Sequence, residues 1–334
     1  MANLYLTEQG SVLRKTGDRL IVEKDDTVLL DIQCNKIDTV LIFGNVQFTT
    51  QAIKELFEHG IEMALLTTSG RLIGQITSPF TKNVDLRLAQ YERYRDSSYV
   101  LRTSKHIVAG KIQNGVELLR RFSYNHPDRS LQEEARQLER LRDEVEKKER
   151  VDALLGLEGA AANIYFNGFG RMIVNPLFSF NGRKKRPAPD PVNALLSFGY
   201  TLVFNEIASL LDGIGFDPYI GFYHKPDYGR ASLAADLMEE FRSPIVDRLT
   251  LKLINNRVFI PDDFFLHPKS GSLYLKREAM KRYFVEYERY LMEEFTHPAT
   301  GEKTDFRRCF RTQAHRIAAC IKDDGEYQPF HFDR

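Results

Sequence analysis

Polar and apolar positions in the first eighty or so residues alternate in short runs. Leu4 to Leu6, Val12 to Arg14, Arg19 to Glu23, Val28 to Asp31 and Thr39 to Ile42 read as strands, separated by turn residues at Gly10, Gly17, Asp25 and Asp26. After Gly44 the period changes. In TTQAIKELFEHG, Ile53, Leu56 and Phe57 share one helical face, and His59-Gly60 supplies a stop. Strand character resumes in IEMALLTTSGRLIGQITS, with Ser69-Gly70 as the hairpin turn. From about Asp85 a helical period takes over, as in VDLRLAQYERYRD, HIVAGKIQNGVELLRRF and REAMKRYFVEYERYLMEEF.

The switch near Ser78, Pro79 and Phe80 sets the expected boundary. The fold class is then α+β: a small β-rich domain over residues 1–79 and a larger all-α domain over residues 80–334. Residues 129–150 are dense in both charge signs, and the thin stripe of Leu131, Leu138, Leu141 and Val145 predicts an exposed amphipathic helix. The stretch NGRKKRPAPDP joins four cations to three prolines. It cannot continue a helix, so a mobile loop is expected there, followed by a helix opening at Pro191.

Composition narrows the class. A chain of 334 residues with 43% hydrophobic content can fill one large core or two smaller ones. The opening MANLYLTEQG lacks the basic start and apolar run of a signal peptide, and about 18 uncharged apolar residues never occur together, so a cytoplasmic protein with no membrane span is expected. Cys34, Cys309 and Cys320 are scattered, which argues against a disulfide framework. Cys309, His315 and Cys320 lie close in sequence and read as buried packing rather than zinc ligands. The formal net charge is only +1, so any affinity for nucleic acid must come from local patches. Two exist, at Arg183, Lys184, Lys185 and Arg186, and at Arg307, Arg308, Arg311 and Arg316. Taken alone, each reads first as solvated surface.

Three stretches bear on chemistry. Glu158 lies in VDALLGLEGAAANIYFNGF, among apolar or small residues where a carboxylate is costly unless a cation offsets its desolvation. A surface glutamate on an amphipathic helix is the plainer alternative. His224, in DPYIGFYHKPDYGR, precedes a new helix and reads either as a structural hydrogen-bonder or as a ligand. In ASLAADLMEEFRSPIVDRL, Asp236 and Glu239 are three apart and share a face, whereas Glu240 is turned about 100° away. One imidazole with two or three carboxylates suits Mg²⁺ or Mn²⁺ and leaves positions open for water and phosphate oxygens. Phosphodiester chemistry needs that equipment. Arg242, one turn beyond Glu239, is placed to pair with a phosphate or to lie on the surface.

The ordered set GLEGAAANIYF, RPAPDPVNALLSFGYTLVFNEI and DPYIGFYHKPDYGRASLAADLMEEFRSPIVDRL closely resembles the CRISPR-associated adaptation integrase, the larger protein of the spacer-acquisition complex. The N-terminal GNVQFTTQAIKELFEHGI and LLTTSGRLIG resemble it too, so the likeness spans nearly the whole chain. The resemblance implies a homodimer, paired through the β-rich domain, that assembles on a smaller ferredoxin-like partner protein. It also implies metal-dependent cutting and joining of double-stranded DNA, with a captured fragment and a CRISPR repeat as substrates. Carried over by motif, Glu158, His224 and Glu239 are the metal ligands, and Asp236 matches a second acidic position. Relatives often carry Asp where this chain has Glu239. On this footing Arg183, Lys184, Lys185, Arg186 and Arg242 become expected DNA contacts, made to the backbone rather than to bases. Two alternatives remain open: a metal-dependent nuclease on branched DNA without integration, and a catalytically silent DNA scaffold.

Overall fold

The computed structural model describes residues 2–68, 70, 72–77 and 83–332. Ser78, Pro79 and Phe80 of the expected boundary, and Ser69 of the expected hairpin turn, lie outside the described residues. Two compact units emerge: Met1–Thr81 with Leu275–Glu288, and Lys82–Tyr274 with Arg289–Arg334.

The first unit is built from β1 (Ala2–Leu6), β2 (Val12–Thr16), β3 (Arg19–Lys24), β4 (Thr27–Gln33), β5 (Ile37–Phe43), β6 (Gln47–Phe48), α1 (Thr50–Glu58), β7 (Glu62–Leu66) and β8 (Leu72–Ile76). One sheet runs β1-β5-β7-β8 and the other β4-β3-β2-β6. Asp25 and Asp26 both take positive φ, 48° and 58°, as the tightest turns between antiparallel strands require. The parallel pairing of β5 with β7 needs a crossover, which α1 supplies. Thr49 caps that helix, its hydroxyl accepting from the Ala52 N–H at 3.2 Å. Leu13, Leu20 and Val22 from one sheet meet Val40, Ile42 and Met63 from the other and Ala52 and Leu56 from α1 in one core. Residues 275–288 belong to this unit as well. Within it the Phe284 ring stacks on Tyr5 at 4.1 Å, and the Tyr5 hydroxyl donates to Glu288 at 2.6 Å.

The second unit is helical: α2 (Val84–Arg95), α3 (Ser97–Asn125), α4 (Gln132–Glu144), α5 (Val151–Arg171), α6 (Pro191–Ile214), α7 (Ser232–Met238), α8 (Arg248–Asn255), the end of α9 (Arg277–Met292) and α10 (Phe306–Asp323). A ribbon of Phe295–Thr296 with Lys303–Thr304 interrupts the helices. The axis of the unit is α3, whose 29 residues span about 43 Å. Asp96 starts it by accepting from the Ser98 and Tyr99 N–H groups. α4 covers its stripe more completely than its composition suggests: Leu131, Leu138 and Val145 are each at most 1% exposed. Gly115 on α3 faces the Tyr165 ring of α5, where an added Cβ would stand 3.1 Å from ring carbon. That close approach sets Lys111, one turn up α3, opposite Glu158 on α5. α6 begins as expected, with Pro191 in its first turn and the Asp190 carboxylate accepting from the Asn193 N–H at 2.8 Å. Among the described residues it is the one helix long and apolar enough to cross a membrane, yet its apolar window is 61% buried within the protein.

Candidate active site

Helices and loops of the second unit line a cavity of about 490 Å³. α3 contributes Lys111, α5 contributes Glu158 and Tyr165, the loop ahead of α7 contributes His224, and the run from α7 to α8 contributes Glu239, Arg242 and Asp247.

Asp236, from the middle of α7, organises the His224 loop. Its Oδ2 accepts from the backbone N–H groups of Phe222 at 2.6 Å and Tyr223 at 3.0 Å, and its Oδ1 accepts from the His224 N–H at 2.8 Å. The same Oδ1 lies 2.8 Å from His224 Nδ1. That oxygen already accepts from a backbone N–H, so Nδ1 is the donor in this contact and Nε2 is left facing the cavity side of the ring. Gly221 makes this possible: a Cβ there would stand 2.7 Å from the Ser232 carbonyl carbon and 2.8 Å from Asp236 Oδ2.

Beyond α7 the helix tightens into a 3₁₀ turn, Glu239–Phe241, then widens into a π-helical turn, Arg242–Asp247, before α8. In a 3₁₀ turn residues three apart eclipse, which stacks Arg242 on Glu239, with Arg242 Nε 2.9 Å from Glu239 Oε2. Glu239 Oε1 faces His224 Nε2 at 3.9 Å. Lys111 Nζ lies 2.6 Å from Glu239 Oε2 and also donates to Glu158 Oε1. Glu239 Oε2 is thus buried between two cations. Burial pushes the Glu239 carboxyl up, but Arg242, Lys111 and His224 outweigh that and hold it far below the usual carboxylate range.

The π turn sets Asp247 near Arg242. Five residues on in an α-helix would lie about 140° away, whereas i→i+5 pairing brings them into line. Pro244, which lacks an N–H, sits inside this turn. Asp247 is buried and accepts from the hydroxyls of Tyr165, at 2.7 Å, and Tyr200. The Tyr200 ring lies under the Arg242 guanidinium, 4.5 Å from its centroid. Burial pushes the Asp247 carboxyl up, with the two tyrosine bonds opposing.

The basic run divides. Arg183 is an internal strut: its guanidinium donates to the Asn193 side chain at 2.9 Å, to Ser197 Oγ at 3.0 Å and to the Lys184 carbonyl at 2.7 Å. Asn193 in turn holds the Lys184 N–H and the Gly182 carbonyl, so the expected mobile loop is pinned at its start by the first turn of α6. Lys185 lines the cavity, where desolvation and then Arg242 push its ammonium pKa down. Lys184 and Arg186 are exposed outside the cavity lining. In the other basic run Arg307 pairs with Glu206 at 3.0 Å and Arg308 with Asp305 at 3.1 Å. Glu240 turns away from the site: its carboxylate accepts from the Tyr327 hydroxyl at 2.7 Å and from the Phe330 N–H. Cys309 and Cys320 are buried, and burial pushes the Cys309 thiol up to about 12.

A second donor group lies in the strand-rich unit, where Cys34, Glu55 and His59 offer ligand atoms all within 4.8 Å of one another. Glu55 Oε2 is paired there with Lys15, and burial pushes the Cys34 thiol up. The carboxylate and imidazole set of the cavity is more open: Glu158, His224 and Glu239 do not close to so tight a group.

Residues 4–289 match the family model described as CRISPR associated protein Cas1. The chain belongs to the Cas1 family. A CRISPR-associated endonuclease Cas1 of Thermus thermophilus is 34% identical over 330 residues, covering 98% of this chain and 96% of the relative. One from Chlorobaculum tepidum is 34% identical over 338 residues, covering 98% and 97%. A solved Cas1 from Thermotoga maritima superposes with a TM-score of 0.84 at 25% identity, covering 100% of both chains. The Cas1 fold also recurs in a casposase bound to integration product, with a TM-score of 0.87 at 22% identity over 99% of this chain and 93% of that one. In a Cas6-RT-Cas1–Cas2 complex the TM-score is 0.82 at 25% identity, over 98% of this chain and 36% of the longer one. This Cas1 is therefore an enzyme, of endonuclease type.

Glu158, His224, Asp236, Glu239, Arg242, Arg183 and Lys185, each singled out from sequence, meet at or beside one cavity. Lys111, Tyr165, Tyr200 and Asp247 were not. The signal for Lys111 was present: it stands in the helical stripe of Ile107, Val108, Ile112 and Gly115, where a cation interrupts an inward face.

Proposed function

We propose that this Cas1 is a metal-dependent DNA endonuclease and integrase of CRISPR adaptation. It would join the 3′-hydroxyl ends of captured DNA fragments to a CRISPR repeat by transesterification. The support is the convergence of Glu158, His224 Nε2 and Glu239 with the cations Arg242 and Lys185 in one cavity. The donor set suits Mg²⁺ or Mn²⁺. Glu239 Oε2 is buried against the cations Lys111 and Arg242, a place that suits positive charge, as a metal ion brings. Glu158, His224 and Glu239 would hold the ion, which when bound polarises a phosphate oxygen and lowers the pKa of an attacking hydroxyl or water.

The remaining work falls to this chain's own groups. Asp236 keeps His224 in one tautomer and one orientation. Arg242, seated on Tyr200, and Lys185 present positive charge to the reacting phosphate. One phosphodiester forms as the 3′-oxygen bonds to phosphorus, and one breaks as the repeat strand's own 3′-oxygen leaves. Positioning therefore dominates over covalent chemistry. At Gly156 and Gly159 a Cβ would meet no heavy atom within 4 Å, so the backbone flanking Glu158 faces open space.

DNA as substrate, a homodimer and a smaller ferredoxin-like partner of the Cas2 kind complete the proposal, supported by the Cas2-containing assembly of a relative. The test mixes the protein, with and without that partner, with short duplex DNA and a supercoiled repeat-bearing plasmid in Mn²⁺ or Mg²⁺. Covalent joining of fragment to repeat is expected, and Glu158→Ala, His224→Ala and Glu239→Ala should each abolish it while DNA binding persists. Cleavage of branched DNA with no joined product would select the repair nuclease instead.

A further inference from the structure

The ammonium of Lys111 stands between Glu158 and Glu239, in contact with one oxygen of each. A cation that bridged those carboxylates would need the same ground. Lys111 reaches it from α3, a helix that contributes no carboxylate to the set, while its side chain is only 22% exposed. Two further facts bear on what this contact does. The donors of Glu158, His224 and Glu239 do not close to within 4.8 Å of one another, so the set is held open around the ammonium. Glu239 Oε2 also has Arg242 Nε at 2.9 Å, so it keeps an ion pair when the ammonium leaves.

We propose that Lys111 is a built-in competitor for the metal, which must leave the two carboxylates before a divalent ion can close Glu158 onto His224 and Glu239. This inference rests on the metal reading above. Once displaced, a lysine has four methylene groups of reach and three N–H donors, and the cavity it swings into is the one that Lys185 and Arg242 line. Its next acceptor is a phosphate oxygen of the bound DNA. Without DNA the displaced ammonium is left facing Arg242 and Lys185, which favours its return to the carboxylates. With DNA it gains a partner. Metal and DNA binding are thereby coupled through one side chain, and each raises the affinity for the other by the same factor. If Lys111 holds the carboxylates in about nine molecules of ten, the apparent metal affinity is lowered about tenfold.

The test is Mn²⁺ binding to the full chain, followed by calorimetry and by the electron paramagnetic resonance of free Mn²⁺, with and without short duplex DNA. Lys111→Met should bind Mn²⁺ about tenfold more tightly than the parent without DNA, and DNA should tighten Mn²⁺ binding in the parent far more than in the variant. Lys185→Met controls for loss of charge alone, since it removes a cavity cation that bridges neither carboxylate. An equal gain in Lys185→Met, or no gain in Lys111→Met, overturns the inference. Glu239→Gln separates this from the premise: if it binds Mn²⁺ as the parent does, the metal reading itself fails. Should Lys111→Met be too unstable for calorimetry, thermal melting decides. Added Mn²⁺ should raise its melting temperature more than that of the parent, and an equal or smaller rise overturns the proposal.

Discussion

Asp236 gathers three backbone N–H groups and one imidazole onto a single carboxylate, so its loss should act through His224 rather than on the metal directly. Asp236→Asn keeps the shape but offers an N–H where an acceptor is needed. We predict a loss of joining activity of roughly 10- to 100-fold that excess Mn²⁺ partly restores, while Glu239→Gln is not rescued at any concentration. Metal titration of activity checks this, and full activity of Asp236→Asn at limiting metal would remove Asp236 from the site. The basic run makes a second residue-scale prediction. Neutralising Lys184, Lys185 and Arg186 should flatten the salt dependence of DNA binding by up to about 0.9 log units per lost phosphate contact. Arg183→Gln should instead lower the melting temperature, because its guanidinium is spent on Asn193 and Ser197. Binding isotherms across salt concentrations and thermal melts distinguish the two. At this scale the carboxylates of the proposed site were legible as candidates because they are conspicuous among small and apolar neighbours. Arg183 was not, since a run of cations looks the same whether it faces water or folds back onto the helix it precedes.

Among the elements, the first five strands of the first unit were legible in place though up to three residues short, because a period of two bounded by Gly and Asp turns has few other solutions, while the two-residue β6 is too brief to show a period. The parallel pairing of β1, β5 and β7 was not, since alternation says which residues face inward and nothing about the neighbouring strand. The same limit applies to residues 275–288: a helical period announces a buried face without naming what covers it. The run from α7 to α8 was read as one helix. Its 3₁₀ and π turns change which residues stack, and Asp247 reaches the cavity for that reason. Glu240, in the 3₁₀ turn, carries a prediction. Burial pushes its carboxyl up to about 7, against bonds from Tyr327, Phe330 and Gln313 that favour the charged form. The folded state therefore holds a proton that the unfolded chain has released above pH 4.5. The contribution is present below the unfolded value and is lost as pH rises toward 7, by up to roughly 3 kcal/mol. Glu240→Gln should flatten this part of the stability curve and leave joining nearly unchanged. Urea melts from pH 4.5 to 8 on both proteins measure it, and an identical pH slope in the two would exclude the assignment.

At the scale of the molecule, the strand-rich unit leaves Val28 and Leu29 exposed on β4, at the edge of its sheet. An apolar edge strand is a pairing surface, which fits the proposed homodimer. Light scattering should give a dimer over a wide concentration range, and a double Val28→Glu, Leu29→Glu change should shift it to monomer. A parent protein that stays monomeric throughout would end this proposal. The second unit closes on itself differently. The Asn114 amide donates to the carbonyls of Glu240 and Phe330, and its oxygen accepts from the Phe332 N–H. Three stretches far apart in sequence are thus knotted at one side chain, which lies one turn from Lys111 and adjoins the Glu239 turn. Whoever handles the protein meets the practical result: a tag, fusion or protease acting behind Tyr327 tugs on that knot. Activity lost that way would masquerade as an active-site defect, although no residue lining the cavity had been altered.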